Sequence, residues 1–219
     1  MKAANKNLIL VGLFAIAMAY LESAVVVYLR AMYGIEDLLT DINLALDIYT
    51  FIEIGREAAT IVMLVIIGLI AANNWQKKIG YFFFAFGIWD IFYYIWLFIF
   101  IQWPKSLFEW DILFLIPFPW WGPVIAPVMI SILLIAIGYL LNIEVKFKVT
   151  SLDWIVFGLF IIVILYTFVE DSILVIISGT GNIIEIRPTN YNWFLFLIAY
   201  AALTLTTIKV FYHSGKKLI

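Results

Sequence analysis

Residues 51–72 read FIEIGREAATIVMLVIIGLIAA, an apolar run that is interrupted by only three charged side chains. A helix rises about 1.5 Å per residue, so about 20 residues cross the roughly 30 Å hydrocarbon core of a bilayer. This stretch therefore predicts a membrane-spanning helix. Its charged residues, Glu53, Arg56 and Glu57, stand at positions i, i+3 and i+4, so they share one side of that helix.

Five further apolar runs of similar length accompany this one. They cover about residues 8–28, 79–101, 123–141, 152–174 and 193–210. Of the 219 residues, 66% are hydrophobic and only 13% are charged, about half the charged fraction that is typical of a water-soluble domain. The sequence predicts an all-α polytopic membrane helical bundle of about six helices, with residues 1–219 forming a single transmembrane domain.

Basic residues are distributed unevenly between alternate loops. If the N-terminus is cytoplasmic, the inner side holds Lys2, Lys6, Lys77, Lys78, Lys146, Lys148, Lys209, Lys216 and Lys217. The outer side then holds only Arg30, Lys105 and Arg187. Because lysine and arginine accumulate in cytoplasmic loops, this pattern predicts a multi-pass protein of the cell (plasma) membrane with both termini in the cytoplasm. The outer loops are acidic instead. Either they attract cations or cationic solutes, or acidic residues simply occupy loops from which lysine is excluded.

Residues 35–49 predict an amphipathic helix on the outer side. Their apolar side chains recur every three or four positions, opposite a face of acidic and polar residues. Because that polar face is acidic rather than basic, simple docking onto anionic lipid is disfavoured. The helix is expected either to lie at the outer interface or to continue into the second span.

Residues 103–123 form a second outer segment, which is bounded by prolines. A helix-like stretch over 106–116 follows Trp103-Pro104, and the sequence PFPWWGP at 117–123 ends it. Two prolines separated by one residue cannot lie within an unbroken helix, so the chain must turn here. Backbone groups freed at membrane depth must be covered by protein or by a water-filled cavity, which predicts a re-entrant or interfacial segment.

Several ionisable residues fall inside the predicted spans. They are Glu22, Glu53, Arg56, Glu57 and Asp90. Each would cost about 2.5 to 3.5 kcal/mol at a helix centre, so these side chains should face the interior of the bundle rather than lipid. All of them lie in the middle or the outer half of their spans. The sequence predicts that the first three helices enclose an acidic polar site that is reached from the outer side.

Nine further polar or aromatic residues are expected to line the access route or to form a lid. They are Asp47, Thr50, Trp89, Tyr93, Tyr94, Trp103, Asp111, Trp120 and Trp121. They lie beside the charged positions of the second and third spans or in the two outer segments. The aromatic, proline-bounded segment is therefore the predicted wall or lid of the site.

Four carboxylates and one guanidinium leave a formal charge of about −3, which a low-dielectric site must neutralise. Protonation, a hard cation or a cationic ligand would each achieve this. A metal would be Mg²⁺, Ca²⁺ or Mn²⁺ bound by Glu22, Glu53, Glu57 or Asp90, because only oxygen ligands are present. No cofactor is otherwise predicted. The chain has no cysteine and one histidine, which excludes thiolate, iron–sulfur and multi-histidine centres.

Three functions remain open on the sequence alone. One is the binding or transport of a proton, a cation or a small cationic solute, although no internal repeat indicates a carrier built from two halves. Another is an intramembrane enzyme acting on a lipid or isoprenoid substrate from the outer leaflet, with a carboxylate as general acid or base and Arg56 holding a phosphate or carboxylate. The last is an accessory or scaffold subunit whose buried charges only specify helix packing.

The expected partners follow from these alternatives. They are membrane lipid and either a small cationic solute or a lipid substrate, with no nucleic acid. No residue of the chain is assigned a catalytic role by the sequence.

Overall fold

The computed structural model describes residues 2–41, 48–142, 147–179, 188 and 190–215. In chain order these form helices α1 (Lys2–Tyr33), α2 (Leu38–Asp41), α3 (Ile48–Ile70) and α4 (Trp75–Ile101), strands β1 (Trp110–Ile112) and β2 (Trp121–Pro123), and helices α5 (Ile125–Asn142), α6 (Ser151–Ser178) and α7 (Trp193–Gly215).

Six helices in the described part of the chain are long and apolar enough to cross a membrane. Their apolar segments are Lys6–Tyr33, Ile48–Ala71, Trp75–Ile101, Ile125–Asn142, Ser151–Ser178 and Trp193–Tyr212. Each contains one of the predicted spans or overlaps nearly all of it, so the predicted all-α polytopic helical bundle is confirmed. The chain is an integral membrane protein.

Helix α4 lies at the centre of the first half of the bundle, with α1, α3 and α5 packed against it. Its seam with α5 is very close because glycine lies on both helices. A Cβ atom at Gly138 would come within 2.6 Å of the carbonyl oxygen of Gly80, and one at Gly87 within 2.5 Å of the carbonyl oxygen of Ser131. Small residues are what such a close approach of two membrane helices requires.

Polar caps fix two of the helix starts. The Asn74 side chain accepts a hydrogen bond from the backbone N–H of Lys77 at 2.8 Å, at the start of α4. At the start of α6, Thr150 and Asp153 form a reciprocal capping box, in which each side chain accepts from the other's backbone N–H. Lys209 of α7 lies 2.7 Å from the Asp153 carboxylate, so this cap also joins α6 to α7.

The proline-bounded segment is a β-hairpin, and the predicted helix-like stretch over 106–116 is wrong. Strands β1 and β2 pair in antiparallel register, with Asp111 opposite Gly122. The pairing continues toward the turn, where the N–H of Leu113 donates to the carbonyl oxygen of Trp120 at 2.8 Å. Pro117 and Pro119 lie in the turn, where the ladder requires no N–H from them. Hydrogen bonds between the two strands thus pair the backbone N–H and C=O groups that a helix would have paired within itself.

The predicted amphipathic helix over 35–49 is only partly described. The structure contains the short helix α2, which begins at Leu38 rather than at residue 35, because Gly34 ends α1 with a φ of +66°. The side chain of Asp37 then accepts from the N–H of Leu39 at 2.8 Å and starts the new turn. Residues 42–47 lie outside the described part of the chain, and Asp47 is one of them.

Candidate functional site

A cavity of about 250 Å³ lies between α1, α3, α4, α5, α6 and the hairpin. All five predicted site residues line it, namely Glu22, Glu53, Arg56, Glu57 and Asp90. Six residues of the predicted access route line it as well: Thr50, Trp89, Tyr93, Tyr94, Asp111 and Trp120. The walls include more elements than the three helices that the sequence predicted, since Ser131 of α5 and Phe168 of α6 also contribute.

The two remaining described residues of the predicted lid lie outside the cavity lining. Trp103 lies beneath the guanidinium of Arg30, whose central carbon is 3.9 Å from the centre of the indole ring. Trp121 is almost fully buried and packs with Leu38 of α2. Both tryptophans therefore support the hairpin end of the bundle, the end at which residues 102–124 lie, without contacting the cavity.

Arg56 of α3 is held between two carboxylates. Its guanidinium forms an ion pair with Glu22 of α1 and a two-point contact with Glu53 of α3, in which Nε lies 2.8 Å from Oε2 and Nη2 lies 2.5 Å from Oε1. The hydroxyl of Thr60 donates to the same Glu22 carboxylate. Arg56 is therefore fully engaged by the protein's own acids.

Glu57 connects α3 to the hairpin. The backbone N–H of Leu115 donates to both of its carboxylate oxygens, at 3.0 and 2.9 Å. Leu115 lies two residues before Pro117, in the turn where backbone donors have lost their cross-strand acceptors. Glu57 thus satisfies a backbone N–H for which the hairpin provides no acceptor.

Asp90 of α4 lies against α5. The Ser131 hydroxyl donates to its Oδ2 at 2.8 Å, and the carboxylate is buried. This contact depends on the close helix seam, because Gly87, one turn before Asp90, leaves room for the Ser131 backbone. Ser131 was not predicted from the sequence, since a lone serine in an apolar span is usually an ordinary interhelical contact.

A second polar group lies at the hairpin end of the cavity. Arg30 of α1 and Asp111 of β1 form an ion pair at 3.8 Å, and the Tyr94 hydroxyl donates to Asp111 at 3.1 Å. Burial raises the pKa of the Asp111 carboxyl to about 6, although Arg30, Tyr94 and the backbone N–H of Ile112 each lower it.

The sequence predicts Arg30 on the outer side, beyond the end of the first span, but its side chain is buried. One signal was present, because Arg30 follows Glu22 by eight residues and so returns to the same face of the helix. The apolar run alone suggested that the span ends before Arg30.

Among the described residues, five carboxylates and two guanidiniums line the cavity. Arg56 pairs with Glu22 and Glu53, and Arg30 pairs with Asp111. Within the described residues, Glu57 and Asp90 have no lysine or arginine at ion-pair distance, and their hydrogen-bond donors are neutral. Nowhere in the described ranges do three acidic, histidine or cysteine side chains converge into a group that would hold a metal. The divalent cation thus stays a prediction without a preformed site.

The cavity extends through only part of the bundle. Its lining reaches Glu22 on α1, Thr60 on α3 and Phe86 on α4. Beyond these positions, away from the hairpin, buried apolar side chains of the three helices pack together. That core contains the fully buried side chains of Ala15, Ala19, Leu64, Tyr81 and Ala85.

The chain matches no protein-family model, no curated protein and no solved structure. The class of protein therefore follows from the structure itself. The described residues define an integral membrane protein with six helices long and apolar enough to span a membrane and with an acidic cavity that extends through part of the bundle.

Proposed function

We propose that the protein binds a small organic cation of the amine type in this cavity, from the outer side of the membrane. The observation that carries the proposal is the pair of buried carboxylates, Glu57 and Asp90, that line the same cavity and contact only neutral donors. A buried carboxylate without a positive partner is unfavourable. An ammonium group would neutralise one or both of these acids, with which neither Arg30 nor Arg56 forms an ion pair.

The aromatic lining supports an organic cation over a bare metal ion. Phe86, Trp89, Tyr93 and Trp120 present rings to the cavity. The faces of aromatic rings attract ammonium groups by about 0.5 to 2 kcal/mol, and they also accommodate the apolar part of an organic solute. The cavity volume of about 250 Å³ suits a compact molecule.

The depth of the cavity supports binding rather than a continuous pathway. Its lining ends at Glu22, Thr60 and Phe86, and the buried core lies beyond them. In the orientation that the lysine distribution predicts, the hairpin end faces outward and the core faces the cytoplasm. Transport would require a second conformation in which this core opens, so outward-facing binding is the function that the observed geometry supports best.

The enzyme alternative receives less support from the same contacts. It assigns Arg56 to a phosphate or carboxylate of the substrate, whereas this guanidinium is engaged by Glu22 and Glu53. The scaffold alternative requires that the acids act only through helix packing. It therefore predicts that removing their charge changes stability but not ligand binding.

Titration calorimetry with phenethylamine on the full chain in nanodiscs tests the proposal. We expect Glu57→Gln and Asp90→Asn each to weaken binding by about tenfold or more, because a charge-assisted contact contributes about 1.5 to 3 kcal/mol. Glu36→Gln is the matched control, since Glu36 is an exposed acid that does not line the cavity.

Two outcomes would contradict the proposal. One is that phenethylamine does not bind to the folded wild-type protein. The other is that the neutral analogue 2-phenylethanol binds as tightly and that the two acid variants bind like Glu36→Gln. In that case the acids are structural, as the scaffold alternative holds.

A further inference from the structure

Charge is confined to part of the cavity lining. All seven charged residues of the described lining belong to α1, α3, α4 and β1. The lining residues of segment 113–120, α5 and α6 are uncharged, and they include Ile130 of α5 and Leu165 and Phe168 of α6. We call these uncharged lining residues the apolar wall. A cavity that is divided in this way suits a ligand with one charged and one apolar part.

The two acids of the proposed ammonium site lie where the charged residues meet the apolar wall. Asp90 of α4 accepts a hydrogen bond from Ser131 of α5 at 2.8 Å. Glu57 of α3 accepts from the backbone N–H of Leu115 in the hairpin turn. An ammonium group that contacts either acid is therefore next to the apolar wall, and the rest of its molecule can lie along that wall.

The hairpin covers the half of α6 that is nearer to the hairpin end. A Cβ atom at Gly122 would come within 2.7 Å of the Phe168 ring, so β2 lies directly against this side chain. One turn further along α6, the Ser172 hydroxyl donates to the carbonyl oxygen of Pro119 at 2.8 Å. These contacts close the apolar wall between Phe168 and the hairpin end of the bundle.

Leu165 lies deeper in the bundle than these contacts. It lines the cavity, and it is nevertheless 40% exposed. It lies near the middle of α6, about 20 Å from the end of this helix at 1.5 Å per residue. One turn further from the hairpin, Ile161 is also exposed, as expected of a helix face in contact with lipid. Leu165 is therefore at the edge of the cavity, at the depth of the hydrocarbon.

Helices α3 and α6 border the cavity without packing extensively against each other. In the described part of the chain, α3 packs mainly against α4, whereas α6 packs mainly against α7 and β2. The hairpin turn connects the two helices, through the contact of Leu115 with Glu57 and that of Pro119 with Ser172. Beyond this turn, at the level of Leu165, the space between α3 and α6 leads from the cavity to the bilayer.

We infer that the ligand is a lipid-soluble amine, whose ammonium group lies at Glu57 and Asp90 and whose alkyl chain follows the apolar wall and leaves the cavity past Leu165, between α3 and α6. This inference rests on the proposed function for the ammonium site and adds the class of ligand, a membrane amphiphile. The cavity of about 250 Å³ then holds the headgroup and the first part of the chain, and the bilayer holds the remainder.

The headgroup of this amphiphile carries no phosphate. Arg56 is engaged by Glu22 and Glu53, and Arg30 is paired with Asp111. The described lining contains no lysine and five carboxylates. A phosphate would therefore bring a further negative charge to a site that already has an excess of acids, which is unfavourable in a low-dielectric environment.

A series of primary alkylamines tests the inference. Butylamine, hexylamine, octylamine and decylamine are titrated by calorimetry into the full chain in nanodiscs, with empty nanodiscs as the partition blank. We expect affinity, referred to free aqueous amine, to increase about fourfold with each methylene as far as decylamine, because a buried methylene contributes about that factor. A cavity closed to the bilayer would instead exclude the longer chains.

A variant at the edge of the cavity tests the path of the chain. Leu165→Trp narrows the opening, and we expect it to lower the ratio of decylamine to butylamine affinity by about fivefold or more. Ile162→Trp is the matched control, because Ile162 is an exposed residue of α6 that does not line the cavity. The wild-type chain-length series decides the outcome if Leu165→Trp does not fold.

The outcomes separate this inference from the proposed function. Decylamine affinity no higher than that of butylamine would overturn the amphiphile and leave cation binding intact. The same affinity ratio in Leu165→Trp and Ile162→Trp would overturn the path between α3 and α6. Decanol binding as tightly as decylamine would overturn the ammonium site, and with it both proposals.

A phosphate-bearing amine tests the headgroup. The Nε atom of Arg30 has no hydrogen-bond partner among the described residues, so an oxyanion could approach it. We expect lysophosphatidylethanolamine with a decanoyl chain to bind about tenfold or more weakly than decylamine, because its phosphate would be repelled by the carboxylates. Equal or tighter binding of the lysophospholipid would overturn the phosphate-free headgroup.

Discussion

The guanidinium of Arg56 on α3 forms an ion pair with the buried carboxylate of Glu22 on α1. Both helices pack against α4, and this ion pair joins them directly to each other. The pair also lies at the inner end of the cavity, since Glu22 is where the lining of α1 ends. The ion pair therefore stabilises the inner end of the cavity. It also occupies the guanidinium that an anionic ligand would otherwise bind.

Removing one member of this pair should cost more stability than removing both. Arg56→Met leaves Glu22 buried without its partner, which we expect to lower the free energy of unfolding by about 3 to 5 kcal/mol. The double variant Glu22→Gln with Arg56→Met should recover at least about 1 kcal/mol of this loss. Denaturant titration in mixed micelles measures both values. If the double variant is as unstable as Arg56→Met or less stable, the two residues do not act as a pair.

Alanine at the α4–α5 seam should destabilise the bundle. A Cβ atom at Gly87 or Gly138 would lie within 2.6 Å of backbone atoms on the facing helix, so the helices would have to separate. We expect Gly87→Ala and Gly138→Ala each to lower stability by about 1 to 3 kcal/mol.

Gly158→Ala provides the matched control for these two variants. A Cβ atom there would meet no atom within 4 Å, and alanine favours the helix by up to about 1 kcal/mol. The thermal unfolding midpoints of the three proteins test the seam. Equal midpoints for Gly87→Ala and Gly158→Ala would show that the α4–α5 contact is looser than the structure indicates.

The stability of the protein should depend on pH through Asp111. Burial raises the pKa of this carboxyl from its ordinary value of 3.8 to about 6, against the influence of Arg30 on α1 and Tyr94 on α4. Tyr93 and Asp90 of α4 also interact with it. Because the folded state holds this proton more tightly, the carboxyl stabilises the fold below about pH 4, and this contribution is lost as the pH rises through about 6.

Asp111→Asn isolates this effect, because asparagine resembles the neutral acid at every pH. Between pH 4 and pH 7.5, we expect wild-type protein to lose about 2 kcal/mol of stability through this group, whereas the variant should not. Unfolding measured at both pH values gives the difference for each protein, and Glu36→Gln serves as the surface control. The same pH response in wild type and Asp111→Asn would assign it to other groups.

The predicted orientation can be tested with single cysteines, since the chain has none of its own. Lys105 lies at the hairpin end and Asn73 in the α3–α4 connection, and both side chains are exposed. We expect a membrane-impermeant maleimide applied to intact cells to label Lys105→Cys, and Asn73→Cys only after lysis. The reverse pattern would invert the assigned topology and move the cavity to the cytoplasmic side.

Local sequence was sufficient for the spans and for the inward-facing charges. The lengths of the apolar runs follow from the bilayer thickness, and the cost of charge in lipid acts on each helix separately. For this reason Glu22, Glu53, Arg56, Glu57 and Asp90 could be grouped before any helix contact was known, and the structure places them around one cavity.

The partners of these charges were decided only by tertiary structure. The hairpin depends on pairing Asp111 with Gly122 across a proline-containing turn. The local sequence over 106–116 was equally compatible with a helix. Arg30 became a buried residue because β1 brings Asp111 to it, and Asp90 obtained Ser131 because glycine lets α5 approach α4. The free-energy cost of burying a charged or polar group depends on the residue itself, so it can be inferred from the sequence. The group that offsets this cost lies far away along the chain, so only the tertiary structure identifies it.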